Sequence, residues 1–147
     1  MEIREGSVEE ASLLLEELNR YERKLDPFLK PMNADEIKRY LEKKVKRGKT
    51  RILVAEENGE VVGVAVCEVM KWKTTTFQNL VYVHDLFVKE EHRGRGIGKA
   101  LLKEVEKWAR KMEANVVVVD VYTNNPSLNF YRKLGFKEWV LKLVKKV

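Results

Sequence analysis

The stretch LVYVHDLFVKEEHRGRGIGKALL, residues 80–102, limits the folds open to this chain more than any other. Leu80–Val88 is apolar and β-branched, and it gives way to charges and then to Gly94, Gly96 and Gly98 interleaved with Arg93, Arg95 and Lys99. Beyond the glycines, Ile97, Leu101, Val105, Trp108 and Met112 recur at helical spacing, which predicts a helix running to about Lys111. Strand, glycine turn, helix aims free backbone N–H groups and the positive helix end at an anion, usually a phosphate. The common nucleotide loops do not fit. Gly94 and Gly98 are separated by three residues rather than four, Lys99 is followed by Ala100 rather than a hydroxyl residue, and a dinucleotide fingerprint would need glycine at position 99.

The rest of the chain supplies a sheet and helices around this unit. Glu2–Arg4 is a short strand candidate, and Ser7-Val8-Glu9-Glu10 reads as a capping box that starts a helix with Val8, Ala11, Leu15 and Leu18 on its inner face. YERKLDPFLKPMN, with two prolines, reads as a loop. Asn33-Ala34-Asp35-Glu36 repeats the capping pattern before Ile37, Leu41 and Val45, and Gly48 stops that second helix. Arg51–Glu57 and Glu60–Trp72 flank Asn58-Gly59, the pair best suited to a tight hairpin turn. Val116–Tyr122 is apolar enough to be covered on both faces, which predicts a central strand parallel to its predecessor. A short helix from Pro126 to Leu134, ended by Gly135, and a last strand from Phe136 complete an α/β fold with one mixed sheet and about four helices.

A length of 147 residues suits a single domain, 1–147. Apolar residues at 44% and charged residues at 35% exclude a disordered or membrane chain, and MEIREGSVEE lacks the order of a signal peptide, so a cytoplasmic protein is expected. The lone Cys67 lies in an apolar run and reads as core, and no ligand set of metal-binding spacing is present in the sequence. The net charge of +6 favours an anionic partner. Nucleic acid is disfavoured, because the arginines are not interleaved with aromatics and Glu90 and Glu91 flank the loop.

LFVKEEHRGRGIGKALL resembles the signature of the GNAT superfamily of N-acetyltransferases, matched by Arg93, Gly96 and Gly98, and NNPSLNFYRKLGF (124–136) resembles that family's second landmark. The resemblance covers residues 51–136 well. ELNRYE, YVHDLFV and NNPSLNFY are together similar to the diamine and polyamine branch, which usually has Glu-Asp where this chain has His84-Asp85. The resemblance implies a GNAT fold and acetyl-coenzyme A as cosubstrate, with its pyrophosphate held by the backbone of Gly94, Arg95, Gly96, Ile97, Gly98 and Lys99 beside Arg93. It also implies pantetheine contacts from Leu86, Phe87 and Val88, and cofactor contacts from Asn124 or Asn125 and from Ser127. No metal is expected.

Amide formation from a thioester needs a neutral amine, support for the oxyanion and a proton for the departing thiolate. Tyr131 matches the family's proton donor to that thiolate. For the amine proton, His84 stands where the polyamine branch has its glutamate and has a suitable intrinsic pKa. Strand alternation predicts His84 and Asp85 on opposite faces, with Asp85 orienting the strand or a water and Asp120 the runner-up base. Tyr21 and Glu22 are the expected acceptor contacts, with Asp26 and Trp72 as neighbours. The expected activity is acetyl transfer to a primary amine of a small molecule, such as a diamine, polyamine or amino acid, with protein N-termini or lysines as the alternative. The expected partners are that small amine and a second copy, as a homodimer.

Overall fold

Asn58 and Gly59 both have positive φ, 52° and 79°, the backbone of a tight hairpin turn whose twist suits the strands it joins. In the computed structural model, which describes residues 1–147, that turn links β2 (Thr50–Glu57) to β3 (Glu60–Trp72), and β3 returns into β4 (Gln78–Val88). β1 (Glu2–Glu5) pairs antiparallel with β2, and β5 (Val117–Val119) pairs parallel with β4, so the sheet order is β1-β2-β3-β4-β5.

Helices cover both faces. α1 (Val8–Glu22) and α2 (Ala34–Lys46) each start in a full capping box, Ser7 with Glu10 and Asn33 with Glu36, which satisfies the first free N–H groups of each helix. Glu10 also takes Arg4 of β1 at 2.7 Å, and Arg4 reaches Glu56 of β2 at 2.9 Å, so the α1 start is tied to the sheet edge. Ala11, Leu15, Leu18, Ile37 and Leu41 bury against Ile52, Val54, Val64, Val66 and Phe87. On the other face α3 (Ile97–Lys111) sets Ile97, Leu101, Leu102 and Val105 against Leu53, Ala65, Cys67, Val81 and Val83. α4 (Leu128–Lys133) adds Tyr131 to the same layer. Cys67 is fully buried, and burial pushes its thiol up to about 12, consistent with a core residue.

Three expectations are corrected. β5 is a three-residue edge strand rather than a central one, and its valines are only half-buried, because no strand covers its outer side. Residues from Phe136 onward form no strand, and no backbone group from Lys137 to Val147 bonds another backbone group. Val45 and Met112 are exposed, since each lies in or just beyond the last turn of its helix, past the edge of the sheet layer.

Candidate active site

The site begins where β4 and β5 part. Their ladder holds at Val81↔Val117, Tyr82↔Val118 and Val83↔Val119 and then stops. At the same level β4 carries a bulge against β3: Val66 faces Asp85 while Cys67 faces Val83, leaving His84 as the extra residue. The bulge reverses the side-chain alternation of β4. Before it, Val81 and Val83 face α3; after it, Leu86 and Val88 do, and Phe87 turns to the α1 and α2 side. His84 and Asp85 therefore lie on the same face, toward α1 and α2, and the expectation of opposite faces is corrected. The strands splay beyond this point, with Asp85–Val88 as one wall of a cleft and residues 120–125 as the other.

The glycine loop closes one end of the cleft. Gly94 and Gly96 have φ of 79° and 82°, a region that branched side chains avoid. None of the six backbone N–H groups from Gly94 to Lys99 has an acceptor in the protein; the first bonded one is Ala100, to the Gly96 carbonyl. Ile97 is buried, so only its backbone faces the loop. Gly98 lets α4 approach: a Cβ there would stand 3.2 Å from the Phe130 ring. Arg93 donates through Nε to the Val88 carbonyl at 2.9 Å, and its guanidinium lies 5.6 Å from the Tyr21 ring and 5.5 Å from the Phe87 ring. Arg95 is held by Glu57 at 2.9 Å, and His92 meets the same Glu57 oxygen at 3.2 Å. Glu57, at the end of β2, was not legible as a loop anchor, because its partners lie 35 and 38 residues away. Lys99 is exposed.

Three groups converge on the cleft without hydrogen-bond partners. Tyr131 is buried edge-on between Phe130 and Phe136, and its hydroxyl is unbonded; burial, then Glu22 and Asp85, push it up to about 12. Glu22, the last residue of α1, is half-buried and makes no side-chain bond; burial, then Asp85 and Asp26, push it up to about 7. Asp85 is likewise half-buried and unbonded, and burial raises it to about 6 against the opposing pull of His84 and Lys44.

The other expected residues are engaged elsewhere. His84 Nε2 lies 2.7 Å from Glu68 of β3 and 3.5 Å from Lys44 of α2, and its ring stacks on Tyr82 at 5.0 Å. Asp120 is exposed, and burial, then the neighbouring Asp120 carboxylate, push the Tyr82 hydroxyl up. Asn124 donates to the Leu25 carbonyl at 3.2 Å, while Asn125 accepts from Tyr21 at 3.4 Å and from the Ser127 N–H at 2.9 Å. Tyr122 donates to Asp26 at 2.6 Å, so three side-chain bonds tie the loop after α1 to the cleft's far wall. Trp72 packs on Tyr82 and Trp139, with ring centroids 6.1 and 6.0 Å away, outside this cluster of acids.

The chain is similar to known N-acyltransferases in sequence and to solved structures in fold. An uncharacterised N-acetyltransferase of Methanocaldococcus jannaschii is 32% identical over 110 residues, 70% of this chain and 48% of that protein. An L-amino acid N-acyltransferase of Escherichia coli is 33% identical over 86 residues, 58% of this chain and 49% of that protein. The chain thus spans about half the length of these curated relatives. A mutant form of a Bacillus halodurans protein superposes with a TM-score of 0.87 at 23% identity, covering 100% of this chain and 99% of that one, and so shares the fold. The model of the acetyltransferase (GNAT) family matches residues 13–136, the span from α1 through the glycine loop to the end of α4, and the chain belongs to that family.

Proposed function

We propose that residues 1–147 form one acetyl-coenzyme A-dependent N-acetyltransferase domain whose acceptor is a small, cationic primary amine. The observation that carries this reading is the run of six unbonded N–H groups from Gly94 to Lys99, opening onto the cleft that holds the unbonded Tyr131 hydroxyl. Such a run suits a pyrophosphate, since each donor gains a charge-assisted bond and none loses an internal one. The β4 backbone of Leu86, Phe87 and Val88, freed from β5, faces the pantetheine in this reading. Asn125 and Ser127 lie at the far wall. Tyr131 donates the proton that the leaving thiolate needs.

A cation is favoured as acceptor because Glu22 and Asp85 have no cationic partner of their own, while Lys44 is already held by Glu68 and Arg93 by the Val88 carbonyl. Release of coenzyme A measured with diamines, amino acids and short peptides tests this. Diamines are expected to exceed α-amino acids by about tenfold or more in kcat/KM, the factor that one uncompensated like-charge contact of about 1.4 kcal/mol gives. Equal turnover with acceptors of either charge would reject the cationic preference, and no release with any amine would reject the activity.

A further inference from the structure

We infer that His84 is a positioning residue: with Glu68 of β3 and Lys44 of α2 it forms a clamp that selects the bulged residue of β4 and so keeps Asp85 in register beside the cleft. The inference deepens the amine-acetylation reading and rests on it for its kinetic consequences. Nothing local places the bulge. Residues 78–88, QNLVYVHDLFV, contain neither glycine nor proline, the residues that often mark such a break. Val81 and Val83 face α3, and so do Leu86 and Val88, so the apolar pattern calls for one extra residue between Val83 and Leu86. That pattern does not choose between His84 and Asp85. The observed pairing does: Val66 faces Asp85, Cys67 faces Val83, and His84 has no partner on β3.

Side chains from three elements hold that unpaired residue. His84 Nε2 donates to Glu68 Oε1 at 2.7 Å, and Lys44 Nζ donates to the same oxygen at 3.2 Å. Lys44 stands 5.3 Å over the ring of Tyr40, one turn earlier on α2, and the His84 ring stacks on Tyr82 at 5.0 Å. The side chains of Lys44, Glu68 and His84 are only 12%, 15% and 24% exposed, so solvent screens these contacts less than it screens a surface ion pair. Asp85 takes no part in the clamp.

Without the clamp, the unpaired place is free to pass from His84 to Asp85, which then leaves its pairing with Val66 and loses the orientation that the ladder gives its carboxylate. Asp85 is one of the two acids that favour a cationic acceptor in the amine reading. His84 therefore acts through Asp85 and takes no proton from the acceptor, since its Nε2 is committed to Glu68.

The test compares His84→Phe, which keeps a ring against Tyr82 and removes the donor, with His84→Gln, whose amide N–H can still reach Glu68. Cross-strand proton contacts in NMR spectra of the full chain, free of substrate, report the partner of Val66. His84→Phe is expected to weaken the Val66–Asp85 contacts and His84→Gln to keep them. With a diamine as acceptor, His84→Phe is expected to raise KM for the amine and to lower kcat/KM by about tenfold, while coenzyme A affinity in calorimetry stays within about twofold. His84→Gln is expected to restore kcat/KM to within about threefold of the unsubstituted protein. Should His84→Phe not fold, His84→Ala, which adds no bulk, carries the same expectations. An unchanged Val66–Asp85 pairing in the natively folded variant overturns the clamp, and altered pairing with unchanged kcat/KM overturns the positioning role. So does a His84→Gln protein as slow as His84→Phe with its pairing intact, for the imidazole would then be taking the proton itself. The NMR arm needs no acceptor, so loss of the amine reading and loss of the clamp are told apart.

Discussion

Tyr131 combines two properties that rarely coincide, a buried ring and an unbonded hydroxyl. Because no partner is orphaned when that hydroxyl is removed, Tyr131→Phe is expected to change stability by no more than about 0.5 kcal/mol. Turnover is expected to fall by about 10- to 1,000-fold, with coenzyme A affinity nearly unchanged, the ordinary loss for a general acid. Steady-state kinetics with calorimetric coenzyme A binding checks both, and an unchanged turnover with chemistry rate-limiting would return Tyr131 to a packing role. The raised phenol is a weak acid for a thiolate, whose own pKa is near 8.5. Burial is the largest cause, and the charges of Glu22 and Asp85 are the other two; in the amine-acetylation reading a bound ammonium offsets part of those charges. In that reading, acceptor binding is expected to make Tyr131 a better donor. Asp85→Asn is expected to lower the Tyr131 midpoint in an ultraviolet tyrosinate titration, and no shift would break that link.

At the scale of elements, the glycine loop and the β4 bulge divide the work, and they differ in how readable they were. The loop, the two capping boxes and the Asn58-Gly59 turn are set by residues adjacent in the chain, so spacing alone identified them. The bulge is set by how β3 meets β4, and His84 carries no local sign that it is the extra residue. Regular alternation therefore put His84 and Asp85 on opposite faces. His84 looked free as a base for the same reason: Glu68 and Lys44, its partners, lie 16 and 40 residues away. The run NVVVVDVY reads as doubly covered, yet cover of its outer edge depends on another strand, and the residues after Phe136 do not supply one. The loop permits a direct prediction. At φ of 82°, Gly96→Val costs roughly 1–2 kcal/mol of backbone strain and places a branched side chain beside the free N–H groups. Coenzyme A affinity is expected to fall at least about tenfold by calorimetry, one lost charge-assisted contact being ~1.5 kcal/mol, while circular dichroism stays native. Unchanged affinity would remove the loop from the cofactor site.

For the whole molecule, the acids divide into two sets with opposite effects on stability against pH. Glu10, held down to about 2 by Arg4 and by the Ser7 backbone, binds protons more readily unfolded than folded; its contribution is present above its unfolded value of 4.5 and is lost as pH falls toward 2. Glu22 and Asp85 act in reverse. Their folded values, about 7 and about 6, lie above the unfolded 4.5 and 3.8, so the folded state holds more protons between those limits and stability falls as pH rises through them. The protein is therefore expected to be most stable near pH 4–5, to lose stability on the acid side as Glu10 protonates, and to lose it gradually from there to pH 7 as the cleft acids ionise. Glu22→Gln removes the Glu22 share of the second loss while keeping size and shape. Its gain should be near zero at pH 4, where Glu22 is protonated in both states, and should reach ~1–3 kcal/mol by pH 8, a rise of several degrees in Tm for a chain of this size. Thermal melts of both proteins at pH 4, 6 and 8 check this. Equal Tm values at pH 8 would mean that Glu22 is well solvated, and the cleft would then carry no stored charge to offer an arriving ammonium.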